Sequence, residues 1–117
     1  MEEIKSLFDV IYLSDKELGI DSMHSEDRPC LIVGINPETG EGFVVPLSTK
    51  YRPYDSNRMQ HQLAFGSYID LSNTPIRITE TQLRWSNKSE KWINNEDAEV
   101  LEERFHKWIN MSNDYDY

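Results

Sequence analysis

One stretch, CLIVGINPETGEGFVVPLS from Cys30 to Ser48, constrains the fold more than any other part of this chain. Residues 31–35 form an apolar run. Residues 36–42 carry turn chemistry, with Gly40 and Gly42 able to take positive φ, and residues 43–47 return as a second apolar run. Two such runs about a glycine-bearing turn specify an antiparallel β-hairpin. Pro29 fits at the start of the first strand, where its missing N–H costs little. Antiparallel pairing then brings Arg28, which precedes the first run, and Ser48, which follows the second, to the open end of the hairpin. These two side chains are expected to be neighbours.

The rest of the chain adds strands on either side. Residues 7–13, LFDVIYL, mix β-branched and aromatic residues and read as a first strand. Residues 14–27 show no sustained period and are expected to be a long loop, of the kind that often carries function. Residues 48–66 read as a long basic loop bearing Tyr51, Tyr54 and Pro53. The segments SYIDLS and IRITET alternate in character around Asn73, Thr74 and Pro75, and read as two more strands, with Leu83 and Trp85 closing a set of five. The C-terminal segment is the clearest helix. Asn94 and Asn95 offer N-caps, Glu96, Asp97 and Glu99 lie in the favourable first turn, and Ala98, Leu101, Phe105 and Trp108 form an apolar stripe. Residues 110–117 are expected to fray. The sum is a mainly β chain, a small twisted barrel or half-barrel with a C-terminal α-helix packed on it, as one domain spanning residues 1–117.

Composition narrows the class. A 117-residue chain with 38% hydrophobic and 28% charged residues suits one soluble domain. The sequence has no apolar run near the roughly 20 residues of a membrane span. Its first residues are acidic and lack the cationic and long apolar segments of a secretory signal, so a cytoplasmic protein without membrane partners is expected. The single cysteine, Cys30, sits in an apolar run as a small buried hydrophobe would. Net charge is −9, but residues 48–91 hold seven basic against four acidic side chains, a local +3 that leaves −12 for the remainder. A basic middle between acidic ends is able to meet phosphates while the whole stays acidic.

The order of these features resembles a known family. Asp9-Val-Ile-Tyr, a long loop, Arg28-Pro29 leading into CLIVGINPETGEGFVVPLST, then YIDLSNTPIRITETQL and an acidic helix look like the MazF/PemK endoribonuclease toxins. These share a plug-like SH3-type barrel with the CcdB gyrase poisons, and the VPLST stretch is also similar to type III toxins related to ToxN. The resemblance covers roughly residues 7–109. It implies an SH3-like barrel, a homodimer, single-stranded RNA as substrate, a cognate antitoxin as partner, and cleavage without metal or other cofactor. Carried over residue by residue, it makes Arg28 and Ser48, with Thr49 beside them, the catalytic candidates.

The implied reaction is attack of a ribose 2′-OH on the adjacent phosphorus, giving a 2′,3′-cyclic phosphate and a 5′-OH. An arginine fork suits two phosphate oxygens, and a hydroxyl suits orientation of the phosphate. Lys50, Arg52, Tyr54, Arg58 and His61 are the expected RNA contacts, with His61 and His24 as candidate bases and Tyr51 and Phe65 as further stacking candidates. Each has a plainer reading: an ion pair from Arg28 to Glu26 or Asp27, a simple strand end at Ser48, solvated loop histidines, and aromatics packed on their own barrel. The same barrel without catalysis would be a binding inhibitor, either a gyrase poison working through the C-terminal residues around Trp108 and Ile109 or an acidic phage or host-defence protein. The sequence has no Cys/His spacing suited to zinc and no glycine-rich phosphate loop before a helix.

Overall fold

In the computed structural model, which describes residues 4–20, 26–53 and 59–113, the elements in chain order are β1 (Val10–Leu13), α1 (Asp15–Leu18), β2 (Arg28–Ile35), β3 (Gly42–Ser48), β4 (Gln60–Gln62), β5 (Tyr68–Asp70), β6 (Ile76–Ile78), α2 (Glu80–Trp85), β7 (Asn87–Lys88) and α3 (Asn95–Asn113). The described residues are mainly β. Seven antiparallel strands form one open sheet in the order β4-β5-β3-β2-β1-β7, and β6 pairs with β3 off that path.

The hairpin is the centre of this sheet. Its turn closes with Gly40 at φ 77°, a value that favours glycine, and with the Gly40 N–H donating to the Asn36 carbonyl at 2.8 Å. Cys30 pairs with Pro46, Leu31 with Val45 and Ile32 with Val44, before a register shift between Ile32 and Gly34. The other edge of β3 is divided. Residues 42–44 pair with β6, and Leu47 and Ser48 pair with Ile69 and Tyr68 of β5. Pro46, which has no N–H to offer, lies between those two pairings.

Alternation along the strands sorts the core into two layers. Val10, Leu31, Val33, Val45 and Leu47 face α3, where Leu101, Phe105 and Ile109 are buried against them. Ile11, Leu13, Cys30, Ile32 and Val44 face the other way and are covered by Leu18 of α1, Ile78 and Leu83 of α2. Each large buried side chain of α3 contributes on the order of 1.5–3 kcal/mol by leaving water.

Helix α3 is fastened at both ends. At the start, Asn94 Oδ1 accepts from the Asp97 N–H at 2.8 Å, a side-chain cap. Near the end, Ser112 Oγ accepts from the Ile35 N–H at 2.8 Å and donates to the Trp108 carbonyl at 3.0 Å. Between them Gly34 allows close approach, since a Cβ there would lie 2.9 Å from Trp108 Cβ.

Three expectations are corrected. The segment 14–27 is not one loop, because Ser14 opens a capped turn of helix at Asp15. The expected strand IRITET ends at Ile78, because Thr79 caps a second helix that takes Glu80 and Thr81 and runs through Leu83 to Trp85, while β4 and β7 bring the strands to seven among the described residues. Helix α3 also runs on to Asn113, so only residues 114–117 of the expected frayed tail lie outside the described residues. Its backbone leaves helical values at Phe105 (φ −112°, ψ 23°), which moves the buried stripe from Trp108 to Ile109. Among the described residues no helix is long and apolar enough to cross a membrane.

Candidate functional site

Arg28 begins β2 and Ser48 ends β3, each two residues beyond the paired Cys30 and Pro46. Two steps along a strand return a side chain to the same face. Arg28 and Ser48 therefore both lie on the face away from α3, at the open end of the hairpin, and both line the same two cavities. One, of about 220 Å³, is completed by Arg52, Gln60, Tyr68 and Asp70. The other, of about 270 Å³, is completed by Glu26, Asp27, Thr49, Lys50 and Arg52. Arg28, Ser48 and Arg52 form the shared wall.

The partner of Arg28 is Asp15, not the nearby Glu26 or Asp27. Arg28 Nε donates to Asp15 Oδ1 at 2.5 Å and Nη2 reaches Asp15 Oδ2 at 3.5 Å. The carboxylate is 4% exposed and the guanidinium 33%, so the acid is buried and the arginine reaches toward the cavities. Ser48 Oγ makes a local turn, accepting from the Lys50 N–H at 3.1 Å and donating to the Lys50 carbonyl at 3.2 Å. That turn fixes the direction in which Thr49 and Lys50 leave the strand. Both are exposed, and among the described residues neither Lys50 nor Arg52 has an acidic partner at its charged end.

The loop carrying Arg52 is held by a paired amide. Gln60 Oε1 accepts from the Arg52 N–H, and Gln60 Nε2 donates to the Arg52 carbonyl, each at 2.8 Å. Tyr51 and Tyr68 stack beside it with ring centroids 5.5 Å apart. Asp70 Oδ1 accepts from the Met59 and Ser72 N–H groups and from Ser72 Oγ, which anchors the hairpin of β4 and β5.

His61 is placed elsewhere. It pairs with Ile69 on the sheet and so takes the α3 face, where its Nε2 lies 3.0 Å from Oδ1 of the buried Asp97. The other carboxylate oxygen of Asp97 accepts from the Ala64 N–H at 2.8 Å. His61 thus joins β4 to the start of α3 and does not line the Arg28 cavities. His106 is exposed on α3. His24, Tyr54 and Arg58 lie outside the described residues. Phe65 borders a wider cavity of about 640 Å³ on the α3 face with Tyr12, Lys91 and Trp92, and the Lys91 ammonium sits 5.6 Å from its ring.

Cys30 lies under the site, one side chain below Arg28. Burial pushes its thiol up to about 12, against a partial pull downward from the Arg28 charge. It is no nucleophile. Among the described residues no group of three or more His, Cys, Asp and Glu side chains is arranged to hold a metal ion.

Sequence reasoning missed Asp15, Gln60 and Tyr68. Asp15 was marked by Ser14 and Glu17, which form a capping box that fixes a helical turn at that point. Gln60 and Tyr68 needed the pairing of β4 with β5, which a polar three-residue strand does not announce.

The cavities are of mixed charge, with Glu26, Asp27 and Asp70 in their lining and Asp15 paired to Arg28. On one side of them Arg28, Lys50 and Arg52 set positive charge beside the Ser48 hydroxyl, next to the Tyr51–Tyr68 pair, and that side is able to meet an anionic group. No protein-family model matches the chain. No curated protein matches it either.

Proposed function

We propose that the protein is an endoribonuclease of the MazF/PemK toxin type, acting on single-stranded RNA without a metal ion. The observation that carries this reading is the meeting of Arg28, Ser48 and Arg52 on one cavity wall. In the reaction the 2′-OH gives up its proton, the O2′–P bond forms, the P–O5′ bond breaks and O5′ takes up a proton. Arg28 donates to the phosphate oxygens as charge gathers on them, and preorganised donation of this kind is worth roughly 3–4 kcal/mol per donor in other sites. Ser48 and Thr49 orient the phosphate, and Lys50 and Arg52 supply field along the strand. In-line attack requires a splayed backbone, which favours unpaired RNA.

The edge of β3 divided between β6 and β5 supports the finer fold reading, an SH3-like plug barrel coiled about that strand. A homodimer in the cytoplasm, held in check by a cognate antitoxin covering the Arg28 cavities, completes the proposal.

The test is incubation of the purified protein with a long mixed-sequence RNA in excess EDTA, beside Arg28→Ala. Cutting at a short recurring motif with 5′-OH ends, lost in a folded Arg28→Ala variant, is the expected outcome. Full activity in that variant would remove Arg28 from the site. The neutralisation of Arg28 by Asp15 favours a second reading, a non-catalytic binding inhibitor. Folded wild-type protein that cuts no RNA yet captures a basic partner would select it. The gyrase version is disfavoured, since Ile109 is buried and Trp108 packs against Gly34.

A further inference from the structure

We infer that Asp15 is the positioning residue of the site, orienting the Arg28 guanidinium so that its outer edge meets the phosphate. The inference rests on the ribonuclease reading and names a residue that the reading itself does not require. Strand β1 ends with Leu13 paired to Arg28, so the chain leaving β1 starts beside the arginine. Ser14 turns it there. Its Oγ accepts from the Glu17 N–H and its own N–H donates to Glu17 Oε1, both at 3.1 Å, which sets one helical turn. Gly19, at φ 70°, ends that turn, and Leu18 buries it in the layer containing Cys30. Gln82 of α2 braces it from outside by donating to the Glu17 carbonyl at 3.4 Å.

This capped turn brings the carboxylate of Asp15 onto the Nε side of Arg28. A guanidinium has five N–H donors, and Asp15 takes those along one edge. Nη1 has no hydrogen bond to any described residue, and the cavities shared with Ser48 and Arg52 open beside Arg28. Solvent exposure separates this from an ordinary surface clamp, in which both partners would be wet. Here the acid is 4% exposed and only the arginine reaches out. Loss of such alignment by about 1 Å can cost 10²-fold in rate.

The experiment measures cleavage kinetics in excess EDTA for the wild type, Asp15→Asn, Arg28→Ala and the double variant Asp15→Ala/Arg28→Ala, after thermal melts establish that each is folded. Asp15→Asn keeps the shape and removes the charge. The expected result is a fall of about 10²-fold in kcat with KM held within about twofold. Guanidinium chloride below denaturing concentration is expected to restore Arg28→Ala at least about tenfold, because Asp15 still docks the free cation, and to restore the double variant far less. Should Asp15→Asn fail to fold, Asp15→Glu keeps the charge but displaces the guanidinium by one methylene, and the same loss of kcat is expected. Wild-type kcat in a folded Asp15 variant, or equal rescue of the single and double variants, would overturn the positioning role while leaving the nuclease intact. Inactive wild-type protein would overturn the ribonuclease reading and this role with it.

Discussion

Single side chains on the two faces of this sheet have separate duties, and the alternation of the strands decides which. Arg28 and Ser48 were legible because two strong apolar runs fix the hairpin, and its pairing carries both residues to one end. Cys30 was legible for the same reason, lying one turn of the pleat further in. Its burial has a measurable consequence. The unfolded thiol ionises near 9, whereas the folded one holds its proton until about 12. Above 9 the unfolded state therefore binds fewer protons than the folded state, and stability must fall with rising pH. The slope approaches roughly 1.4 kcal/mol per pH unit between those values. Urea melts of the wild type and Cys30→Ala at pH 8.5, 9.5 and 10.5 check this, with a steeper decline expected in the wild type. Parallel declines would show that the thiol titrates normally in the fold.

Secondary-structure elements were legible in proportion to the length of their hydrophobic signal. Strands β2 and β3 and helix α3 have long ones and were expected, although α3 continues to Asn113 and buries Ile109 in place of Trp108. Helices α1 and α2 have four and six residues, too few for a period to emerge. They are written instead in their caps, Ser14 with Glu17 and Thr79 with Gln82, which satisfy the first free N–H groups in each case. β4 is three polar residues, and its assignment to a loop hid the alternation that turns His61 toward α3 and Gln60 toward the cavity. The fastening of α3 to β4 follows from that alternation. Removing the Asp97 carboxylate leaves the Ala64 N–H and the His61 ring without their buried partner, at a cost of about 1–3 kcal/mol. Asp97→Ala should lower the melting temperature, and His61→Ala should lower it by less. Neither should change the cleavage rate per folded molecule, because both residues face away from Arg28. A tenfold loss of rate in His61→Ala, with its melting temperature unchanged, would put the imidazole back in the chemistry.

On the scale of the whole molecule the decisive property is where charge sits. A chain of net charge −9 is repelled by RNA at long range. Attraction has to come from a local surface, and among the described residues Lys50 and Arg52 stand with Arg28 at the end of β3, while Arg77, Arg84 and Lys88 pair with Glu41, Glu80 and Asp9 elsewhere. The division of the β3 edge between β5 and β6 was beyond the sequence, because it depends on short strands meeting β3 at two places along one edge. The composition of that surface was legible, as the run Ser48-Thr49-Lys50-Tyr51-Arg52. If Lys50 and Arg52 lie along the phosphates, each displaces counterions when RNA binds. The logarithm of affinity for a short single strand should then fall with the logarithm of salt concentration, and each cation should contribute about 0.7 to the slope. Lys50→Ala and Arg52→Ala should each flatten the slope by that amount and weaken binding similarly for different RNA sequences. Fluorescence anisotropy with a labelled oligonucleotide over a range of potassium chloride measures it. The acidic remainder predicts a further asymmetry, since it leaves non-specific affinity low and makes the local surface account for nearly all of the binding. A double variant that keeps the wild-type slope would mean that the strand runs elsewhere, and the wide cavity of Tyr12, Phe65 and Trp92 on the opposite face would be the next surface to titrate.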